Sequence, residues 1–480
     1  MSAAALDAQL ARELRAIVGP DGLLTDPAAL LVYESDGLTA HRLLPRAVVL
    51  PRATDQVAAV VRALARANVP FVPRGAGTGL SGGALALENA VVLSLARMDR
   101  ILQIDAANRF AVVEPGVANA RLSAAAAPSG LYYAPDPSSQ TVCTIGGNVA
   151  ENAGGPHCLK YGTTVNHILA LTVVLPDGRI MRLGGHGESA GYDLLGVFVG
   201  SEGTFGVATE ITVRLIPLPE KIETLLALFD DIDDASRAVS AIIAEGLLPA
   251  ALEMVDREAI VAVEASVYAA GLPEVEGALV IEFDGAAPGL DQDAEHARRI
   301  CLREGAREVR RAENDRDRQR LWYARKKAFG AMGRLAPDIL VQDAVVPRSK
   351  LPAVLNRVYA ICREQRLRLC NTFHAGDGNL HPVILFDRRN EDDVRRVDIA
   401  SREIMRTCVE AGGSITGEHG VGLDKREYMP LIFSDAEMDL MCSVRRVFNP
   451  RGIANPAKVL PVRVCREWAG PATRIVEAAK

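Results

Sequence analysis

The stretch PRGAGTGLSGGALALENAVVLSL, residues 73–95, decides the fold. Inside it GTGLSG, residues 77–82, matches G-x-G-x-x-G, with Asp99 at roughly the usual distance downstream. A parallel dinucleotide-binding unit also needs a helix that starts at the third glycine, because the helix N-terminus holds the pyrophosphate. Here only GALALEN separates Gly82 from the apolar strand AVVLSL. A crossover including its helix takes about ten to twelve residues or more, so that reading fails on spacing. A glycine-rich loop can still cradle a pyrophosphate through consecutive backbone N–H groups without any helix dipole. On composition alone, an ordinary surface loop is the simpler account.

Upstream of this loop, residues 6–18 carry the apolar spacing of an amphipathic helix. RAVVLP from Arg46 reads as a strand, ATDQVAAVVRALARAN as a helix capped by Asp55 or Thr54, and VPFVP as a second strand. Downstream, RFAVVEPG is a strand, and residues 168–183 form a hairpin turning at Pro-Asp-Gly. Between them lies PDPSSQTVCTIGGNVAENAGG, whose small residues let backbone approach a flat ligand closely. Prolines 217 and 219 mark a boundary near residue 219. Beyond it, ETLLALF and ALVIEF read as strands alternating with helices such as DDASRAVSAIIAEG. REVRRAENDRDRQRLWYARKKAFGAMGRL reads as one long helix with Trp322 and Phe329 on its apolar side. VQDAVVP and LCNTFH are expected strands around the helix LPAVLNRVYAICREQ, with closing helices near 391–411 and 435–448. There is no internal repeat.

Composition bounds the function. A chain of 480 residues that is 49% hydrophobic and 24% charged is globular. A net charge of −6 and the lack of a Lys/Arg run argue against a nucleic-acid partner. The eight cysteines form no C-x-x-C pair, which disfavours an iron–sulfur cluster or zinc ribbon and fits free thiols in a reducing compartment. The first residues, with Asp7 and Glu13, do not pattern as a targeting signal. No apolar run approaches the roughly 20 residues that span a bilayer. The expectation is a cytoplasmic protein with no integral membrane segment, membrane association through partners being left open.

PRGAGTGLSGGA, PDPSSQTVCTIGGNVAENAGG, GSEGTFGVATEI and NPAKVLP occur in this order. Together they resemble the FAD-binding signatures of the vanillyl-alcohol-oxidase-type flavoproteins. Within that superfamily the chain is similar to the D-2-hydroxyacid dehydrogenases, above all to the FAD-binding subunit of bacterial glycolate oxidase, over about residues 40–461. The fold so implied is α+β: an FAD-binding domain of two subdomains, a substrate domain on an antiparallel sheet, and a C-terminal helical cap. The corresponding bounds are 1–41 for an N-terminal helical segment, 42–219 for the FAD domain, 220–420 for the substrate domain and 421–480 for the cap. The resemblance places pyrophosphate on Arg74, Gly75, Gly77, Thr78, Gly79 and Ser81. It brings Pro135, Ser138, Thr141, Gly147, Asn148 and Gly154 to the cofactor, Val207 to the adenine end and Asn455 to the flavin. Ala457 departs from the usual Asn-Pro-Gly-Lys. The glycine loop holds no His or Cys, so FAD is expected to bind non-covalently.

HAGDGNLHP, residues 374–382, sets two of the chain's 8 histidines around a turn of Asp377-Gly378-Asn379. On opposing strands their Cβ atoms would lie about 4.5–5.5 Å apart, close enough to share one divalent ion. The spacing matches no zinc-finger or H-E-x-x-H pattern, so by itself it leaves turn-flanking histidines equally good. The resemblance implies more: His374, His381 and the Glu418 of GEHG as ligands of a divalent metal, zinc with manganese or iron as alternatives. It also implies His419 as general base and Arg325 as anchor for the substrate carboxylate. Relatives that oxidise D-2-hydroxyglutarate carry Thr and Lys where Phe329 and Val341 stand here, which favours a small acid such as glycolate or D-lactate. No second redox centre is visible in the chain, and the resemblance implies a second flavoprotein-like subunit and an iron–sulfur subunit as partners. The alternatives are an oxidase that uses O₂ directly and a non-catalytic FAD-binding subunit.

Overall fold

The computed structural model describes residues 6–86, 89–185 and 191–465. The chain divides into two units, Met1–Gly154 with Thr163–Leu218 and Glu418–Lys480, and Gly155–Gly162 with Pro219–Gly417.

The first unit carries, among the described residues, a four-stranded and a five-stranded sheet beside the short pair Leu131–Tyr132 and Ile216–Pro217. The four-stranded sheet orders its strands Leu23–Leu24, Ala47–Val49, Val91–Ser94 and Phe71–Arg74. The expected βαβ is present, since Ala47–Val49 and Phe71–Arg74 both run parallel to Val91–Ser94, which enters between them. The helix of this unit, Thr54–Arg66, buries Val57, Val60, Val61 and Leu64 against the sheet with Leu10 and Leu14 of helix Ala8–Val18. Its cap differs from expectation. Ala53 occupies the N-cap with no side-chain bond, and Gln56 reaches back to accept from the Arg52 N–H at 2.8 Å. That bond ties the residue before the cap to the first turn, and no side chain at the N-cap accepts from the helix's own first N–H groups. The N-terminal segment also supplies a strand, Leu23–Leu24, and so is not purely helical.

No helix lies between Gly82 and Val91 among the described residues, as the spacing required. The second sheet is antiparallel, in the order Ile101–Asp105, Phe110–Val113, Val207–Arg214, Ile168–Val174 and Ile180–Gly184. The Pro176-Asp177-Gly178 hairpin is present between the last two strands. The C-terminal return, after helix Asp435–Phe448, lays Ala454 beside Phe71 in parallel. Phe71 N–H donates to Ile453 and Asn455 N–H to Phe71.

The second unit carries a seven-stranded antiparallel sheet. Its order is Glu308–Arg311, Lys221–Phe229, Gly277–Gly285, Ala251–Asp256, Arg368–Phe373, Pro382–Phe386 and Asp338–Val341. Here the long helix begins later than its sequence suggests. Residues 308–311 pair with Lys221–Phe229 as an edge strand, and the helix runs Asp315–Met332 with Asn314 as N-cap. An edge strand lacks the alternating apolar face that would have marked it, and charged residues suit its exposed border. Leu321, Ala324, Arg325, Ala328, Ala331 and Met332 fill the buried arc of this helix. At 3.6 residues per turn, Trp322 and Phe329 fall at the rim of that arc. Trp322 is covered because the His157 ring stacks on it at 5.5 Å, whereas Phe329 stays exposed, contrary to expectation.

Candidate active site

In the second unit the reactive residues gather around Glu253, which sits in the central strand Ala251–Asp256 and is fully buried. Met254 pairs with Phe373, and the antiparallel register carried one residue further sets Glu253 opposite His374. The His374 Nδ1 lies 2.8 and 2.9 Å from the two Glu253 oxygens. Helix Asp315–Met332 brings Arg325 to the same carboxylate, with Nη2 2.5 Å from Oε2. Burial alone would raise the Glu253 carboxyl, but the His374 ring and the Arg325 guanidinium beside it hold it below the usual range. Arg325 itself is buried and its Nε lacks an acceptor.

The two histidines meet as the turn reading proposed, with one difference of register. Asn371 pairs with Pro382, and His374 exchanges backbone bonds with Asn379. His381 is therefore the diagonal neighbour of His374 on the same face, not its direct partner. Diagonal positions remain within reach for rings, and the ring centroids stand 5.0 Å apart at 88°. His381 Nδ1 lies 3.9 Å from Asp343. Asp343, in the break between strands Asp338–Val341 and Ala344–Val345, accepts from Thr416 Oγ1 at 2.6 Å and from the Gly417 N–H at 3.1 Å. It thereby fixes the chain one peptide bond before Glu418. Two imidazoles on one face, one of them against a carboxylate, form a donor set that suits a divalent ion.

In the first unit the glycine loop starts where strand Phe71–Arg74 ends. Arg74 is buried, its guanidinium 5.5 Å above the Tyr33 ring, and burial lowers its pKa. A side chain at Gly77, whose φ is +72°, would collide with that guanidinium. Gly75 packs on the Thr144 hydroxyl, which accepts from the Gly147 N–H at 3.2 Å. The first and second glycine-rich stretches are thus in contact. Thr78 and Gly79 line up against Gly37 through their carbonyls, and Pro135 accepts from the Asn119 side chain at 2.9 Å. Ser138 and Thr141 are exposed, Val207 and Gly154 buried. Four buried polar atoms in these stretches lack partners: Ser81 Oγ, Asn148 Nδ2, Glu151 Oε2 and Ser201 Oγ. Orphans of this kind are rare unless a ligand completes them, so the donors and acceptors present suit a polar cofactor.

Glu202, of GSEGTFG, organises the rest of this unit. It adopts φ +51°, and its two carboxylate oxygens each accept a backbone N–H, from Val421 and Gly422, both at 2.7 Å. Ser81 O accepts from Leu423 and Asp424. Asn455 Nδ2 donates to the carbonyls of Gly83 at 2.9 Å and Glu202 at 2.6 Å. Burial pushes the Glu202 carboxyl up, against the pull of those two N–H groups. The segment that carries Glu418 and His419 is thus fastened at Gly417 by Asp343 and at 421–422 by Glu202. Replacing one charged acceptor, Glu202→Gln, sets an amide donor against a backbone donor. Urea denaturation should show a loss of about 2 kcal/mol, and an unchanged midpoint would remove Glu202 from this role. Asn455, Ala457 and Val459 all have positive φ. Ala457 thus holds a conformation that glycine adopts more readily, which suits the glycine usual in that motif and leaves its replacement by alanine unexplained.

Sequence reading passed over Glu253, Asp343 and Glu202. An acid inside the apolar run ALEMV was the available signal for Glu253, and GSEGTFG itself contained Glu202.

Residues 45–184 match the family model described as an FAD binding domain, and residues 218–459 match the C-terminal domain of FAD linked oxidases. The chain belongs to the FAD-linked oxidases. Among the relatives of this FAD-linked oxidase is the glycolate oxidase subunit GlcD of Escherichia coli (strain K12). It is 47% identical over 92% of this chain and 88% of its own. GlcD of Bacillus subtilis (strain 168) is 41% identical over 93% and 96%. The D-lactate dehydrogenase of Anaerostipes hadrus is 34% identical over 86% and 89%. The resemblance read from the four motifs is borne out. Among solved structures, p-cresol methylhydroxylase aligns with a TM-score of 0.80 at 17% identity, over 95% of this chain and 97% of that one. The 4-ethylphenol oxidase of Gulosibacter chungangensis gives 0.77 at 19%, over 95% and 98%. These likenesses bear out the α+β, vanillyl-alcohol-oxidase-type fold. No helix among the described residues is long and apolar enough to cross a membrane.

Proposed function

We propose that this FAD-linked oxidase removes a hydride and a proton from a small 2-hydroxy acid, glycolate or D-lactate, to give the 2-oxo acid. The observation that carries this reading is the convergence of His374 and Arg325 on buried Glu253 beside His381, in a chain whose relatives are glycolate oxidase subunits and D-lactate dehydrogenases. FAD, when bound, supplies the hydride acceptor, and a divalent ion supplies positive charge for a developing alkoxide.

The chain's own residues do the rest. Arg325 receives the substrate carboxylate through parallel N–H donors. His374, His381 and Glu418 hold the metal, zinc being the ion assigned with manganese or iron fitting the same N/N/O set. His419 takes the hydroxyl proton, a task suited to an imidazole at neutral pH. FAD is held non-covalently by Arg74 to Ser81, the second glycine-rich stretch, Val207 and Asn455. Electrons leave to a partner subunit, of flavoprotein-like or iron–sulfur kind, or to a quinone-type acceptor.

The test is anaerobic mixing of FAD-loaded protein with a panel of 2-hydroxy acids. Glycolate or D-lactate should bleach the flavin. D-2-hydroxyglutarate should do so at least about tenfold more slowly, because Phe329 and Val341 offer its distal carboxylate no polar partner. Bleaching by none of them would favour a non-catalytic FAD-binding subunit. Fast reoxidation by O₂ would favour an oxidase.

A further inference from the structure

We infer that Glu253 is a positioning residue that sets two functional groups at once. It holds His374 in the Nδ1–H tautomer, so that Nε2 carries the metal-binding lone pair, and it orients the Arg325 guanidinium to receive the substrate carboxylate. The inference rests on the assignment of His374 as ligand and Arg325 as anchor proposed above.

Glu253 has no exposure and stands in a central strand with paired neighbours on both sides. A carboxylate in that place is costly unless its oxygens are fully engaged. Each engagement is with a residue assigned to the chemistry. His374 Nδ1 faces both oxygens within 2.9 Å, and only its N–H form can donate to an ionised carboxylate. Arg325 Nη2 closes on Oε2 at 2.5 Å. An ion pair serving stability alone would not leave a buried guanidinium Nε without an acceptor. That residual donor is what an incoming carboxylate would complete. Because the two contacts share one carboxylate, the ring and the guanidinium are held at a fixed separation by the strand, and the carboxylate also strengthens His374 as a donor.

The test combines a variant with a direct observation on the unmutated protein. In Glu253→Gln, the amide keeps one acceptor and presents a donor to the other partner. Zinc affinity, measured by chelator competition, should fall about 10–100-fold. KM for glycolate should rise about tenfold, with FAD per chain unchanged. Glu253→Asp should recover part of both. In wild-type protein before zinc is added, ¹⁵N spectra of labelled histidine, with His374 assigned through His374→Asn, should show the Nδ1–H tautomer. An Nε2–H tautomer, or unaltered zinc affinity and KM in folded Glu253→Gln, overturns the role of Glu253 and leaves the site reading standing. If His374→Asn binds zinc as wild type does, the site reading itself fails. If Glu253→Gln does not fold, the wild-type spectrum and Glu253→Asp decide.

Discussion

His419→Gln should lower the rate of flavin reduction about 10³-fold while leaving FAD and metal content at wild-type values. General-base catalysis by a positioned side chain contributes roughly 10²–10⁴-fold, and glutamine keeps polarity and size while losing the capacity to take a proton. The fastening of Gly417 by Asp343 and of Val421 and Gly422 by Glu202 argues that this single exchange leaves the segment in place. The loss should therefore fall on the reduction rate, with little change in KM. Anaerobic stopped-flow mixing separates the two. A loss below about fivefold would assign His419 to orienting Glu418, with the proton going elsewhere.

His374→Ala should abolish tight metal binding and lower kcat/KM by about 10³-fold or more, since charge stabilisation by a bound ion is worth several kcal/mol. Chelation of wild-type protein should reproduce the loss, and added zinc, manganese or iron should restore it only in wild type. The variant also leaves Glu253 facing Arg325 alone, so a modest fall in stability is expected. Metal content by mass spectrometry, read beside activity, separates the effects. A folded variant with wild-type metal content would contradict the ligand assignment.

Much of the fold was legible because its signals are local. The spacing of GALALEN excluded a crossover helix, Pro176-Asp177-Gly178 marked its hairpin, and HAGDGNLHP announced a turn that gathers two rings. What escaped reading depends on register between distant strands. Nothing in ALEMVD says that Glu253 will face His374, because that pairing follows from Met254 meeting Phe373, over a hundred residues away. The same holds for Glu202, whose partners are backbone N–H groups at 421–422 and so carry no side-chain signature. Edge strand 308–311 was hidden by its charge, and the bond from the Arg52 N–H to Gln56 by the acceptor's position inside the helix.

The central claim is that the α-hydrogen of a small 2-hydroxy acid passes to FAD in this chain alone. Single-turnover anaerobic reduction with glycolate and D-lactate, each unlabelled and deuterated at the α-carbon, tests it most directly. Rapid loss of the flavin's visible absorbance, slowed several-fold by deuterium, with one equivalent of 2-oxo acid formed per FAD, is the predicted result. A flavin that stays oxidised with every acid, or is reduced with no 2-oxo acid produced, would contradict it.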